Sequence, residues 1–413
     1  MVDFVFRCAY CGKTLTPSQV TYTCPEDGHN LDVLLDYETL RRNLHPAHIW
    51  NAGEPSLWRY LPLLPVEDPG GQGTPLRRVG WTPLEEAPRL REVLDQPFLW
   101  LKDESPNPTA SFKDRASAVV LARAREMGAR VVVTASTGNA GAALAGLAAA
   151  LGQRAVILAP RSAPRPKVAQ LLLYGAQVVL VEGTYDDAYD LSIQAAQAWG
   201  WYCRNTGYNP FTAEGKKTAA FEIWEQLLRR VRTSRPWTVF VPVGDGNIIS
   251  GLYKGFWDLH QLGWLERLPR LFGVQAEGSA AVARAFHAGR EDVEPVRAHT
   301  LADSIAVDLP RDGFRALRAV RETGGTYITV SDDDILDAMR LLGRFGWFVE
   351  PAAAAALAGL RQARARNLIA PEDPVVLLLT GSGLKDPEAA LRASPPAPVI
   401  EPRLEALERA LAR

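Results

Sequence analysis

Sulfur is scarce in this chain of 413 residues, which has four cysteines and three methionines. Three of the cysteines, Cys8, Cys11 and Cys24, fall near the start. That leaves no disulfide framework for the remainder, and a disulfide is the less expected use of thiols in a cytosolic chain. Net charge is nearly absent as well, at −1, which excludes the basic footprint of a nucleic-acid or anionic-membrane binder. No apolar run approaches the roughly 20 residues of a membrane span; AALAGLAAALG (142–152) is short and rich in Ala and Gly. The first residues, MVDFVFRCAY, lack the basic region and apolar core of a signal peptide. No repeat or low-complexity segment stands out. A cytoplasmic enzyme is expected, working on a small molecule with no nucleic-acid or membrane partner. The length suits two or three compact units, at roughly 100–200 residues per domain. Arginine exceeds lysine and prolines number 30, a lean toward a GC-rich or thermophilic source.

Residues 1–36 read as a zinc-ribbon-like unit. Cys8-Ala9-Tyr10-Cys11-Gly12 is one half, two thiolates on a tight turn. Cys24-Pro25-Glu26-Asp27-Gly28-His29 is the other, with Asp27 where a second cysteine would stand. Three thiolates plus Asp27 or His29 could hold zinc; the alternative is a relic ribbon that folds by packing alone. Residues 37–395 form the main body, and EPRLEALERALAR within 396–413 reads as an amphipathic helix for packing or dimer contact.

In the main body, apolar β-branched runs alternate with helical patterns. Strands are expected at 98–101, 130–134, 154–159, 177–181, 237–241, 271–276 and 375–379, with helices at 139–151, 164–175, 185–199 and 213–231. Near-continuous apolar strands between helices predict parallel sheets covered on both faces. The fold class is α/β, with two doubly wound parallel-sheet subdomains, the smaller at about 115–205 and the larger made of the rest.

The chain is organised around LWLKDESPNPTASFKDRAS (99–117). A strand runs into turn chemistry, and Ser111 is placed to cap a helix that ends near Gly128. Lys113 therefore lies in a first helical turn, where the helix dipole and burial both disfavour its ammonium form. A neutral amine is what Schiff-base chemistry with an aldehyde requires. The alternative is a solvated lysine at a helix start.

Two further strand-to-helix turns follow. Ser136, Thr137, Gly138 and Asn139 offer backbone N–H groups suited to a carboxylate. Gly244, Asp245, Gly246 and Asn247 offer them to a phosphate, with the Asp245 side chain expected to point away. The strand VVLLL then ends at Thr380.

These segments, in this order, resemble the pyridoxal-phosphate (PLP) enzymes of the tryptophan-synthase-β class, fold type II. Lys102, Glu104, Asn107, Pro108, Thr109, Ala110, Ser111, Phe112, Lys113, Asp114 and Arg115 are most similar to the K-x-E-x-x-N-P-T-G-S-F-K-D-R segment of threonine synthases, with Ala110 for the usual glycine. Gly70, Gly71, Gly73, Thr74, Pro75 and Leu76 resemble that family's early glycine turn. The resemblance implies that Lys113 carries PLP, that Asn139 contacts its phenolic oxygen, that residues 244–247 hold its phosphate and that Thr380 meets its ring nitrogen. It implies a homodimer, and conversion of O-phosphohomoserine and water to threonine and phosphate. Serine or threonine deamination, or phosphoserine β-replacement as in cysteate synthase, is the alternative on this frame; a non-catalytic regulatory protein retaining the fold is another. The family's substrate-phosphate arginine is Thr212 here and its histidine is Ser382, so Lys102, Lys167, Lys216 and Lys217 are the candidate replacements. Glu350, in a segment similar to E-P-A-x-A, is expected to be structural.

Overall fold

The computed structural model describes residues 2–412 except Gln72, Thr137 and Pro164. At the N-terminus, β1 (Phe4–Cys8), β2 (Thr14–Leu15) and β3 (Leu31–Leu35) make a small antiparallel sheet in the order β2-β1-β3. Two turns of one design leave this sheet. Gly12 and Gly28 both take left-handed φ, at 75° and 74°, and donate N–H to the carbonyls of Cys8 and Cys24. Phe4 and Phe6 meet Phe211 of the main body edge-on, at 6.0 and 6.2 Å.

The main body contains two sheets. The larger is built from β4 (Leu84–Glu86), β5 (Leu99–Asp103), β10 (Thr238–Pro242), β11 (Arg270–Ala276), β12 (Thr326–Val330) and β13 (Val375–Leu379), in the order β12-β11-β10-β13-β5-β4. All its pairs are parallel except the edge pair β4–β5. The smaller is fully parallel: β6 (Val131–Ala135), β7 (Arg154–Pro160), β8 (Gln177–Val181) and β9 (Tyr202–Cys203), in the order β8-β7-β6-β9. The apolar runs thus lie in parallel sheets, as their pattern predicts. The short β9 and the strand TYITV of β12 were not among the sequence expectations; β12 carries the β-branched signal directly after Gly324-Gly325.

The helices that place the site are α1 (Lys113–Glu126), α2 (Asn139–Leu151), α3 (Phe211–Ile223), α4 (Asn247–Gln261), α5 (Gly313–Glu322) and α6 (Pro351–Ala365). The expected helix at 213–231 begins earlier and widens to a π turn at Trp224–Leu228. There Glu225 turns inward to a buried ion pair with Arg59 at 2.6 Å. The terminal helix is Leu404–Leu411.

Three helices stack at glycines. A Cβ on Gly215 of α3 would lie 2.2 Å from the Arg115 carbonyl oxygen in α1, and one on Gly255 of α4 would lie 2.4 Å from that of Lys217 in α3. This close stacking fixes where α1 and α4 begin, and both begin at the site. Gly215→Ala should therefore destabilise by about 3 kcal/mol or more through overpacking. Gly343→Ala, at an exposed helical position with open space around it, should instead stabilise by up to about 1 kcal/mol. Urea unfolding of the two variants checks both signs.

Candidate active site

A buried polar network fixes the segment around Lys113. Arg115 donates to Glu104 through Nε and Nη2 at 2.7 and 2.8 Å, and to Glu222 of α3 through Nη1 and Nη2 at 2.6 and 2.8 Å. Lys102 donates to Glu222, Gln226 and the Thr82 carbonyl. Burial opposes ionisation of Glu222, but Arg115 and Lys102 hold its carboxyl down to about 2. Asn107 donates to Glu104 and accepts from the Gly80 N–H. Thr109 donates its N–H and hydroxyl to Asp114 at 2.7 and 2.6 Å, closing the turn. Ala110, in place of the family's glycine, sits in that turn at a left-handed φ of 61°. The expected cap does not form: among the described residues the Ser111 Oγ has no hydrogen-bond partner, and the Ser111 carbonyl accepts from the Asp114 N–H instead.

Lys113 emerges from this frame into a cavity of about 550 Å³. Among the described residues its amine has neither an ion-pair nor a hydrogen-bond partner. Burial pushes its pKa down; the charge of Arg204 acts the same way, while Asp245 and Glu350 oppose. The neutral-amine tendency expected from the helix dipole therefore has burial as its main cause.

The cavity lies between the carboxyl ends of the two sheets, the usual place for a ligand in open α/β folds. Its walls include Ser136, Gly138, Asn139, Gly244, Asp245, Gly246 and Thr380. Thr137 lies outside the described residues. The Ser136 Oγ accepts from the N–H groups of Gly138 and Gly141, fixing the loop that opens α2. Asn139 donates its amide to Glu350 at 2.9 and 3.1 Å, so Glu350 belongs to the wall chemistry rather than to the scaffold alone. A Cβ on Gly246, at φ 96°, would lie 2.8 Å from Ala316 and from the Asp312 carbonyl, so only glycine lets this turn bend against that segment. Asp245 does not point away: it lines the cavity and accepts the Asn247 N–H at 3.1 Å. Asn247 lies behind the turn, donating to Asp312 and accepting from Lys216, each at 2.7 Å.

The candidate lysines separate. Lys216 backs the glycine turn at 244–246 through Asn247. Lys102 is locked in the Glu222 network, and Lys217 is paired with Asp258 and Glu214; neither reaches the cavity wall. Lys167 pairs with Asp303, itself on the wall. A cation that sequence reasoning missed is Arg204. It is fully buried just after β9, donates to Ser117 and Thr206, and keeps Nη2 without a partner among the described residues. Burial lowers its pKa to about 10, with Asp245 and Tyr185 opposing. Its place at the carboxyl end of a parallel strand was the available signal.

Strand adjacency organises these groups. The phosphate turn, Thr380 and the Lys113 segment follow β10, β13 and β5, three neighbours in the larger sheet. The Ser136 loop and Arg204 follow β6 and β9, neighbours in the smaller one. PLP fits this site: a lysine amine and one guanidinium nitrogen that have no partner among the described residues, with a glycine turn at a helix N-terminus, suit an aldehyde bearing a phosphate.

A lysine so placed between two parallel sheets defines a PLP enzyme of fold type II. Residues 76–381 match the family of pyridoxal-phosphate dependent enzymes. The threonine synthase of Methanocaldococcus jannaschii is 39% identical over 408 residues, covering 98% of each chain. That of Methanosarcina acetivorans is 36% identical over the same span and coverage. Among solved structures, threonine deaminase isoform 2 from Solanum lycopersicum superposes with a TM-score of 0.66 at 24% identity, covering 80% of this chain and 96% of its own, a likeness of fold alone. A second threonine deaminase, from T.th., gives 0.61 at 28% identity, covering 73% and 92%. The chain belongs to the pyridoxal-phosphate dependent enzymes and, within them, to the threonine synthase family.

Holoprotein should show visible absorbance that borohydride bleaches while fixing the cofactor to one peptide containing Lys113, and Lys113→Ala should abolish both. Peptide mapping checks this; label on another lysine would refute the site.

Proposed function

We propose that this enzyme converts O-phosphohomoserine and water to threonine and phosphate. The observation that carries the reading is the unpartnered Lys113 amine, facing a cavity with anion-binding groups on both sides, in a chain like threonine synthases over its whole length. Bound PLP supplies an electron sink for carbanion character on the substrate. Residues 244–246 would hold the cofactor phosphate at the start of α4, with Lys216 and Asn247 behind them. Thr380 offers an uncharged hydroxyl to the ring nitrogen, and Asn139, held by Glu350, orients the ring oxygen. Ser136 and Gly138 shape the carboxylate site at the start of α2. Lys113, once released from the cofactor, takes and returns protons at the substrate carbons, for which a depressed amine pKa is suited.

The substrate's phosphate needs a cation, because an unpaired buried dianion costs several kcal/mol. We assign this role to Arg204, which stands just behind the wall, donates to the wall residue Thr206 and, unlike Lys102 and Lys217, has no carboxylate partner among the described residues. Lys167, through its pair with the wall residue Asp303, and Lys385, which donates to Gln170, add positive charge nearby; burial lowers the pKa of Lys385. A homodimer in the cytoplasm is part of the proposal, on the strength of the family resemblance; sedimentation equilibrium reads the assembly.

Steady-state assays should detect phosphate released from O-phosphohomoserine; ammonia from serine or threonine without it would favour deamination. Arg204→Gln should raise KM for O-phosphohomoserine by about tenfold to a hundredfold, the scale of a lost charge-assisted hydrogen bond, with cofactor absorbance retained. Lys102→Met should do the reverse, leaving Glu222 with one cation fewer and costing about 3 kcal/mol of stability with little change in KM. Kinetics and urea unfolding of the pair separate the two roles.

A further inference from the structure

Cys8, Cys11, Cys24 and Asp27 converge in the N-terminal ribbon, with their ligand atoms all within 4.8 Å of one another. The Cys11 and Cys24 sulfurs are 3.8 Å apart, and the Cys8 sulfur is 3.3 Å from Asp27 Oδ2. A tetrahedral zinc with bonds of about 2.3 Å to sulfur and 2.0 Å to oxygen requires separations of about 3.8 and 3.5 Å. A disulfide at Cys11–Cys24 would need about 2.05 Å. The two halves share one backbone design. Cys8 N–H bonds the Lys13 carbonyl and Gly12 N–H the Cys8 carbonyl; Cys24 N–H bonds the His29 carbonyl and Gly28 N–H the Cys24 carbonyl. Asp27 thus occupies in the second turn the position of Cys11 in the first. Its Oδ1 accepts the His29 N–H at 2.9 Å, which orients the carboxylate, and Tyr10 N–H points at the Cys8 sulfur. The His29 ring stacks on Tyr10 with centroids 4.2 Å apart and its Nδ1 lies 3.4 Å from Asp27 Oδ1, so it borders the carboxylate from outside the four converging ligand atoms.

The ribbon is also tied to the phosphate turn. Asp32 of β3 pairs with Arg318 at 2.6 Å and with Arg315 at 3.3 Å, both on α5. Arg315 also donates to the Leu31 carbonyl, and Leu31 is the register partner of Cys8. Arg315 then grips Asp312 through Nε and Nη2, and Asp312 accepts from Asn247 at the start of α4. A second tie reaches the Arg204 segment, where the Tyr22 hydroxyl accepts the Cys203 N–H and Asn30 donates to the Gly207 carbonyl.

We infer that Cys8, Cys11, Cys24 and Asp27 bind one zinc ion, and that the loaded ribbon braces the cofactor-phosphate turn through the chain Asp32, Arg315, Asp312, Asn247. The bracing rests on residues 244–247 holding the PLP phosphate; the metal site does not.

Tag-free holoenzyme purified with zinc present should carry one zinc per chain by elemental analysis. Asp27→Ala and Cys11→Ser should lose it, Asp27→Cys should keep it, and cobalt-loaded protein should show thiolate charge-transfer and tetrahedral visible bands. Absence of zinc from the unaltered protein, or Asp27→Ala retaining full zinc, would overturn the assignment. For the bracing, the PLP dissociation constant is measured by absorbance titration after chelation and in Asp32→Asn. An increase of about tenfold, the scale for an outer hydrogen-bond partner, is expected in both; unchanged PLP affinity in zinc-free protein would overturn it. Metal content is read independently of turnover, so a wrong substrate assignment leaves this result intact.

Discussion

Four buried charges hold this molecule in working order: Arg115, Lys102, Glu104 and Glu222. Each is fully removed from solvent, and removing one partner from such a set costs several kcal/mol because a charge is stranded. Together they are neutral, with two cations facing two anions. The set joins β5, the turn after it, α1 and α3, so the direction in which α1 leaves the sheet follows from it. Lys113 is two residues from Arg115 and inherits that direction. The reactive amine itself is unpaired among the described residues, because the two carboxylates of this network are already matched with Arg115 and Lys102.

Much of the site was legible because its signals are local. The segment from Lys102 to Arg115 contains both the turn chemistry and most of the network that rigidifies it, and the glycine turn at 244–246 announces itself after an apolar strand. Partners remote in sequence were not legible. Glu222 meets Arg115 across 107 residues and Asn139 meets Glu350 across 211, and no pattern within either segment marks the pairing. Lysines are ambiguous for the same reason. Lys102, Lys216 and Lys217 look alike on paper, but the carboxylates packed beside Lys102 and Lys217 determine that they neutralise charge within the scaffold. Arg204 was overlooked because its strand, β9, is two residues long and leaves little periodicity to read. In the fold, β12 escaped for want of a long apolar run, although its register against β11 is regular over five residues.

The ribbon shows how a small unit with little core of its own is integrated. Residues 1–36 supply few large apolar side chains, and a unit this small rarely stands alone without a metal or a partner surface. Here both are within reach. Phe4 and Phe6 pack on Phe211, while Asp32 meets two arginines of α5. The pairing of Asp312 with Arg315 belongs to the same arrangement: burial raises the Asp312 pKa, with Arg315 opposing, and the guanidinium of Arg315 spans from the ribbon to the turn.

The division of the cavity between two sheets has a temporal consequence. The groups proposed to anchor the cofactor follow three adjacent strands of the larger sheet, whereas the loop proposed for the carboxylate and Arg204 follow adjacent strands of the smaller one. A substrate charged at both ends would thus be gripped at both ends by one half of the molecule and held to the reactive carbonyl group by the other. Cleavage of its phosphate ester divides that grip into two separate ions. On the proposed assignments, the smaller sheet then faces two separate product ions while the cofactor stays with the larger.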